Sequence, residues 1–241
     1  MKTILISGCS YGQIFDHLPL QQYIKNKFDV EKIVNLSRTG SSVDRQIKTV
    51  MEWLATNPFP DLVLMPLTHV ERYDESVSNR FDPAMALDES LCVSMDPFVD
   101  DKQMNNRFQS RIDLQTMNAL LKNKTLVYND RSAFNNFVTK IITFSGWLQQ
   151  NRIRHVLFNM CNLFDKDKFS KIKKQQFLNG NKNVIDLFSF CGNTYMHENL
   201  TDEQRTQEKI GGLGAHAHHY NAESNKVLIN YLNSYIIEHN I

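Results

Sequence analysis

What this chain lacks narrows it quickly. Its four cysteines, Cys9, Cys92, Cys161 and Cys191, are set far apart in 241 residues. That is neither the dense spacing of a disulfide-stapled secreted domain nor a paired zinc motif, so free thiols in a reducing compartment are expected. No charge of one sign is in excess. Lys plus Arg number 27 against 26 Asp plus Glu, which leaves no general field to hold nucleic acid or an anionic membrane surface. Long apolar runs are missing too: the opening MKTILISG offers only about four apolar residues before a glycine, too few for a signal-peptide core. No later stretch approaches the roughly 20 apolar residues of a membrane span. The expectation is a cytoplasmic protein with no membrane span and no nucleic-acid partner.

What is present has the make-up of a globular domain, with 41% apolar residues, and a chain of this length is served by one core, so residues 1–241 are read as a single domain. Short apolar runs alternate with stretches of helical period, the pattern of parallel strands joined by crossover helices. Strands are predicted over 3–7, 31–36, 61–67 and 154–159, with a weaker fifth at 183–187. Helices are predicted from the first turn to about residue 26, over 132–151 and over 222–237. Another should follow the second strand, because Val43, Ile47, Met51 and Leu54 share one face at helical spacing. The class is α/β with five parallel strands. Between 68 and 114 the pattern dissolves into polar, irregular sequence broken by Pro83 and Pro97, a loop insertion long enough to suggest function or movement. The lysine-rich stretch 165–176 reads as a solvated face.

In an open parallel sheet, ligands bind beyond the carboxyl ends of the strands. That rule selects the loops 8–12, 37–42 and 67–72. Ser10 lies just past the first strand between Gly8 and Gly12, a place that suits either a nucleophile or a helix cap. Gly40 sits among small hydroxylated residues after the second strand, as an exposed N–H donor or as a simple turn glycine. Near the end, Gly211-Gly212-Leu213-Gly214 leads to His216, His218 and His219, and Asn221 is placed to cap the last helix. Three histidines in four residues serve as a metal site, a solvated loop, or the source of a general base. No second cluster of Cys, Asp or Glu completes a metal set, and no metal is assigned.

Taken together, Gly8-Cys9-Ser10, the block from Asn35 to Gly40, and His219-Tyr220-Asn221-Ala222-Glu223 resemble the SGNH/GDSL hydrolases, with order and spacing kept along nearly the whole chain. The resemblance implies a flavodoxin-like, three-layer α/β/α sandwich. It also implies a serine esterase in which Ser10 is the nucleophile and its N–H one oxyanion donor, and the Gly40 N–H a second. Three positions depart from the family pattern. Cys9 stands where the first block usually has Asp. Thr68 stands where the third block has Asn, leaving a hydroxyl as the third donor. His216 stands at the Asp position of the last block, so the triad is reduced to a Ser-His dyad with His219 as base, or with His216 itself in that role.

The mechanism so implied is acyl transfer through Ser10 to water on a small acyl ester, an acetyl group on a carbohydrate being the first choice, with no cofactor. The rival is a weakened domain of the same fold that binds a glycan or a protein. The two differ in whether the serine and a histidine still converge.

Overall fold

The computed structural model describes residues 2–38, 41–68, 73–76, 92–95, 130–160, 180–204 and 221–241, with only the backbone described at 73–76, 92–95, 130 and 131. In chain order the elements are β1 (Thr3–Ile6), a single turn α1 (Ser10–Gln13) running into a 3-10 turn (Ile14–Asp16), α2 (Leu18–Phe28), β2 (Lys32–Asn35), α3 (Val43–Thr56), β3 (Leu62–Leu67), β4 (Tyr73–Ser76), β5 (Cys92–Met95), α4 (Asp130–Gln150), β6 (His155–Asn159), α5 (Gly192–Asn199) and α6 (Ala222–Glu238). Among the described residues no helix is long and apolar enough to cross a membrane.

The main sheet is parallel, in the order β2-β1-β3-β6. β1, β3 and β6 are buried throughout, which explains their unbroken apolar runs. Alternate residues face opposite sides. Leu5, Val63, Met65, Leu67 and Leu157 pack with α3 and α4 through Val50, Leu54, Phe134 and Ile141. Ile4, Ile6, Leu64, Val156 and Phe158 pack with α2 and α6 through Leu20, Ile24, Leu228 and Leu232. Helices therefore cover both faces, and each fully buried Leu or Ile contributes roughly 1.5–3 kcal/mol.

The expected fifth strand at 183–187 is not formed: among the described residues the main sheet has four. Only an isolated parallel bridge, Leu157 to Val184, stands in its place. The two bonds that make it run from Leu157 N–H to Asn183 O and from Ile185 N–H to Leu157 O, both 2.9–3.0 Å. Polar side chains end the run on both sides. Asn181 Oδ1 takes the Asn183 N–H, and Asp186 takes the Phe188 N–H and the Ser189 hydroxyl. Such residues offer the backbone a turn in competition with a ladder.

Two further differences have local causes. The helix expected after β1 is broken at His17, whose extended ψ of 121° precedes Pro19 in the first turn of α2. The region expected to be irregular contains the antiparallel pair β4–β5, Tyr73 opposite Met95. The amphipathic helix is found as expected, with Val43 and Leu54 buried, Ile47 and Met51 partly buried, and Ser42 capping it at 3.2 Å from the Arg45 N–H.

Candidate functional site

From β1 the chain crosses to β2 on one side; from β2 it returns past β1 to β3 on the other. The sheet order thus reverses at β1, and open α/β sheets take ligands at such a point, beyond the strand's carboxyl end. Ser10 stands there. It is the first residue of α1, partly exposed, and its hydroxyl has no hydrogen bond to any described residue. The cap position belongs to Cys9, not Ser10, so Ser10 is not used as a helix cap.

The turn that carries Ser10 is fixed from two sides. A Cβ on Gly12 would lie 2.2 Å from Ser37 Oγ and 2.8 Å from Ser37 Cβ, and one on Gly8 would lie 2.7 Å from Pro66 Cγ. Both positions are glycine because side chains of the loop after β2 and of β3 fill the space. Pro66 in a central strand is explained by the same contact. Leu64 O accepts from Ser7 N–H, so by alternation the bonding edge of residue 66 also faces the β1 side, beyond the end of the ladder, where no partner for an N–H is needed.

The loop after β2 then binds the turn. Arg38 N–H donates to Gly8 O at 3.1 Å. Asn35 Nδ2 donates to Gly12 O at 2.9 Å while its Oδ1 accepts from Ser37 N–H at 3.0 Å. Ser7 Oγ donates to Gln46 O at 3.1 Å, and Gln46 Nε2 donates to Pro66 O at 3.3 Å, joining α3 to the same edge. Ser37 Oγ is buried with no hydrogen-bond partner among the described residues, packed where the two glycines leave room.

Of the other sequence-derived site residues, Thr68 follows β3 at the same end of the sheet and is 1% exposed. Gly40, His216, His218 and His219 lie outside the described residues. Asn221 is the cap expected from the sequence, accepting from Ser224 N–H at 2.9 Å. Arg154 donates to the Ile241 carbonyl at the amino end of β6. The 17 residues of α6 rise about 1.5 Å each from there, so Asn221 stands toward the carboxyl end, the Ser10 end.

Sequence reasoning missed a second serine site, at the amino end. Ser145 Oγ lies 2.7 Å from His155 Nε2, and both residues are fully buried. His155 Nδ1 is 2.8 Å from Ile153 O, which only accepts, so Nδ1 carries the proton and Ser145 donates to Nε2. Asn181 Nδ2 donates to Ser145 at 2.8 Å, and Gln149 Nε2 to Asn181 at 2.9 Å. Burial holds the His155 imidazole below the ordinary histidine value, against a smaller upward pull from the Ile153 carbonyl. The available signal was a histidine opening an otherwise apolar strand. Among the described residues no three His, Cys, Asp or Glu side chains gather as a metal site needs.

No protein-family model and no curated protein matches this chain. Among solved structures, TesA superposes with a TM-score of 0.42 at 9% identity, over 99% of each chain. The psychrotrophic esterase EstA from Pseudoalteromonas sp., inhibited by monoethylphosphonate, gives 0.45 at 10% identity, over 99% of this chain and 98% of its own. At values this low nothing about this chain's chemistry is drawn from either.

Proposed function

We propose that this chain is a serine hydrolase of the SGNH/GDSL type that cleaves a small acyl ester, with an acetyl group on a carbohydrate as the substrate class to try first. The observation that carries the reading is Ser10: a partly exposed hydroxyl, with no hydrogen bond to any described residue, on a closely packed turn at the point where the strand order reverses.

In the proposed reaction His219 takes the Ser10 proton as Oγ bonds to the ester carbonyl carbon. His216 is the alternative base. The oxyanion is held by the Ser10 and Gly40 N–H groups, with Thr68 as the third donor. The base returns the proton to the leaving alcohol oxygen as the ester bond breaks. Water, deprotonated by the same histidine, then attacks the acyl carbon; the Oγ bond breaks, the acid leaves, and Ser10 regains its proton. No metal or organic cofactor enters these steps.

One observation favours the second reading, a weakened domain that binds a glycan or a protein: Thr68 is 1% exposed and so presents little surface to a substrate oxygen. Incubation of the protein and its Ser10→Ala variant with a fluorophosphonate, followed by intact mass and p-nitrophenyl acetate turnover, separates the two. A single adduct and turnover, both lost in the variant, support the hydrolase. No adduct and equal turnover support the binding module.

A further inference from the structure

We propose that Asn35 is a positioning residue for Ser10, its side-chain amide setting the distance between the turn that carries the nucleophile and the loop after β2. The role rests on the hydrolase reading above.

The geometry is specific to one side chain. Asn35 is the last residue of β2, one strand away from Ser10, and partly buried. Its Nδ2 donates 2.9 Å to the carbonyl of Gly12, two residues beyond Ser10 in the same turn. Its Oδ1 accepts, at 3.0 Å, from the N–H of Ser37 in its own loop. One planar amide thus uses both ends, and only Asn or Gln offers a donor and an acceptor in that arrangement. The loops it joins are those assigned the two backbone oxyanion donors, Ser10 N–H on the first and Gly40 N–H on the second. The other tie described between them, Arg38 N–H to Gly8 O, lies on the near side of Ser10. On the far side of the turn, Asn35 acts beside the packing of Ser37 against Gly12. A small displacement there moves Oγ and one donor relative to the other, and a shift of about 1 Å at a reacting centre costs on the order of a hundredfold in rate.

The test compares the full chain with Asn35→Ala, Asn35→Asp and, as a remote control, Asn183→Ala. Asn183 donates to the His155 carbonyl at the opposite end of the sheet. Measured are the fluorophosphonate labelling rate, kcat and KM for p-nitrophenyl acetate, and thermal unfolding. Expected is a fall of roughly ten- to a hundredfold in labelling rate and kcat for both Asn35 variants. KM should stay near that of the unaltered protein, and Asn183→Ala should label at the unaltered rate even with a lowered Tm. Should Asn35→Ala not fold, Asn35→Asp carries the same expectation, since it keeps the shape and the acceptor for Ser37 but replaces the donor to Gly12. Full-rate labelling of a folded Asn35 variant overturns the role and leaves the hydrolase reading intact. Equal slowing in Asn183→Ala also overturns it, by showing general loosening. Absence of Ser10-dependent labelling in the unaltered protein overturns the hydrolase reading, and the role of Asn35 with it.

Discussion

Ser10 and Ser145 stand at opposite ends of the same parallel sheet, and their surroundings differ in nearly every respect. Ser145 has the contacts of a nucleophile and its base, a hydroxyl 2.7 Å from a histidine whose far nitrogen is oriented by a third group. Yet both members are fully buried, the hydroxyl is also bonded by Asn181, and the pair lies at the amino end of β6. Ser10 has no hydrogen-bond partner among the described residues, is partly exposed, and stands beyond the carboxyl end of β1 on a turn held by close contacts at Gly8 and Gly12. A Ser-His contact is therefore not evidence of catalysis. In the interior it is a way of satisfying two polar groups, each of which would be costly to leave unpaired. On the proposed reading, access and strand end decide the role, which is why the nucleophile is assigned to the partly exposed Ser10 at the carboxyl end of β1.

Removing each hydroxyl separates the two serines most clearly. Ser10→Ala should lower esterase turnover by at least about a thousandfold while leaving thermal unfolding nearly unchanged. Next in size is Gly12→Ala, whose new Cβ would meet Ser37 Oγ at 2.2 Å. It should cost about 1–3 kcal/mol by denaturant unfolding and slow the labelling of Ser10. Adding Ser37→Gly should recover most of both, because it removes the two atoms in the way. Ser145→Ala should do the reverse of Ser10→Ala. It leaves His155 Nε2 buried without its donor, costing about 1–3 kcal/mol in urea titration, with labelling and turnover unaltered.

The smallest expected effect is on pH. The folded state holds His155 neutral below its ordinary value of 6.5. As pH falls through that value the unfolded chain takes up a proton that the folded chain does not. Stability from this group is thus complete above pH 6.5 and is lost below it, down to the lowered folded value, with a slope of at most about 1.4 kcal/mol per pH unit. Unfolding free energies between pH 7.5 and about 5 check it, with His155→Gln as the variant in which this component of the slope should vanish.

Three strands of the parallel sheet, β1, β3 and β6, were legible because burial on both faces leaves runs such as Leu62–Leu67 almost wholly apolar. The fifth was not, because Val184 and Ile185 look like a strand until the side chains of Asn181 and Asp186 take the neighbouring backbone groups. α5 escaped notice because Gly192-Asn193-Thr194 is a poor helix start by composition. The structure explains it by contact: a Cβ on Gly192 would lie 2.4 Å from Met160 Sδ, so glycine lets the helix approach β6. The position of Ser10 at the carboxyl end of β1, between two closely packed glycines, was legible from the sequence. The grip of Asn35 on Gly12 was not, since residues 23 apart in sequence show no pattern that pairs them. The Ser145–His155 pair was hidden for the same reason, each member resembling an isolated polar residue in an apolar element.

The most direct measurement is the site of fluorophosphonate attachment, read by peptide-mapping mass spectrometry on the unaltered protein. One adduct, on the peptide containing Ser10, is the expected result. No adduct, or an adduct carried by Ser145 or any other serine, contradicts the assignment of the reactive site to the carboxyl end of β1.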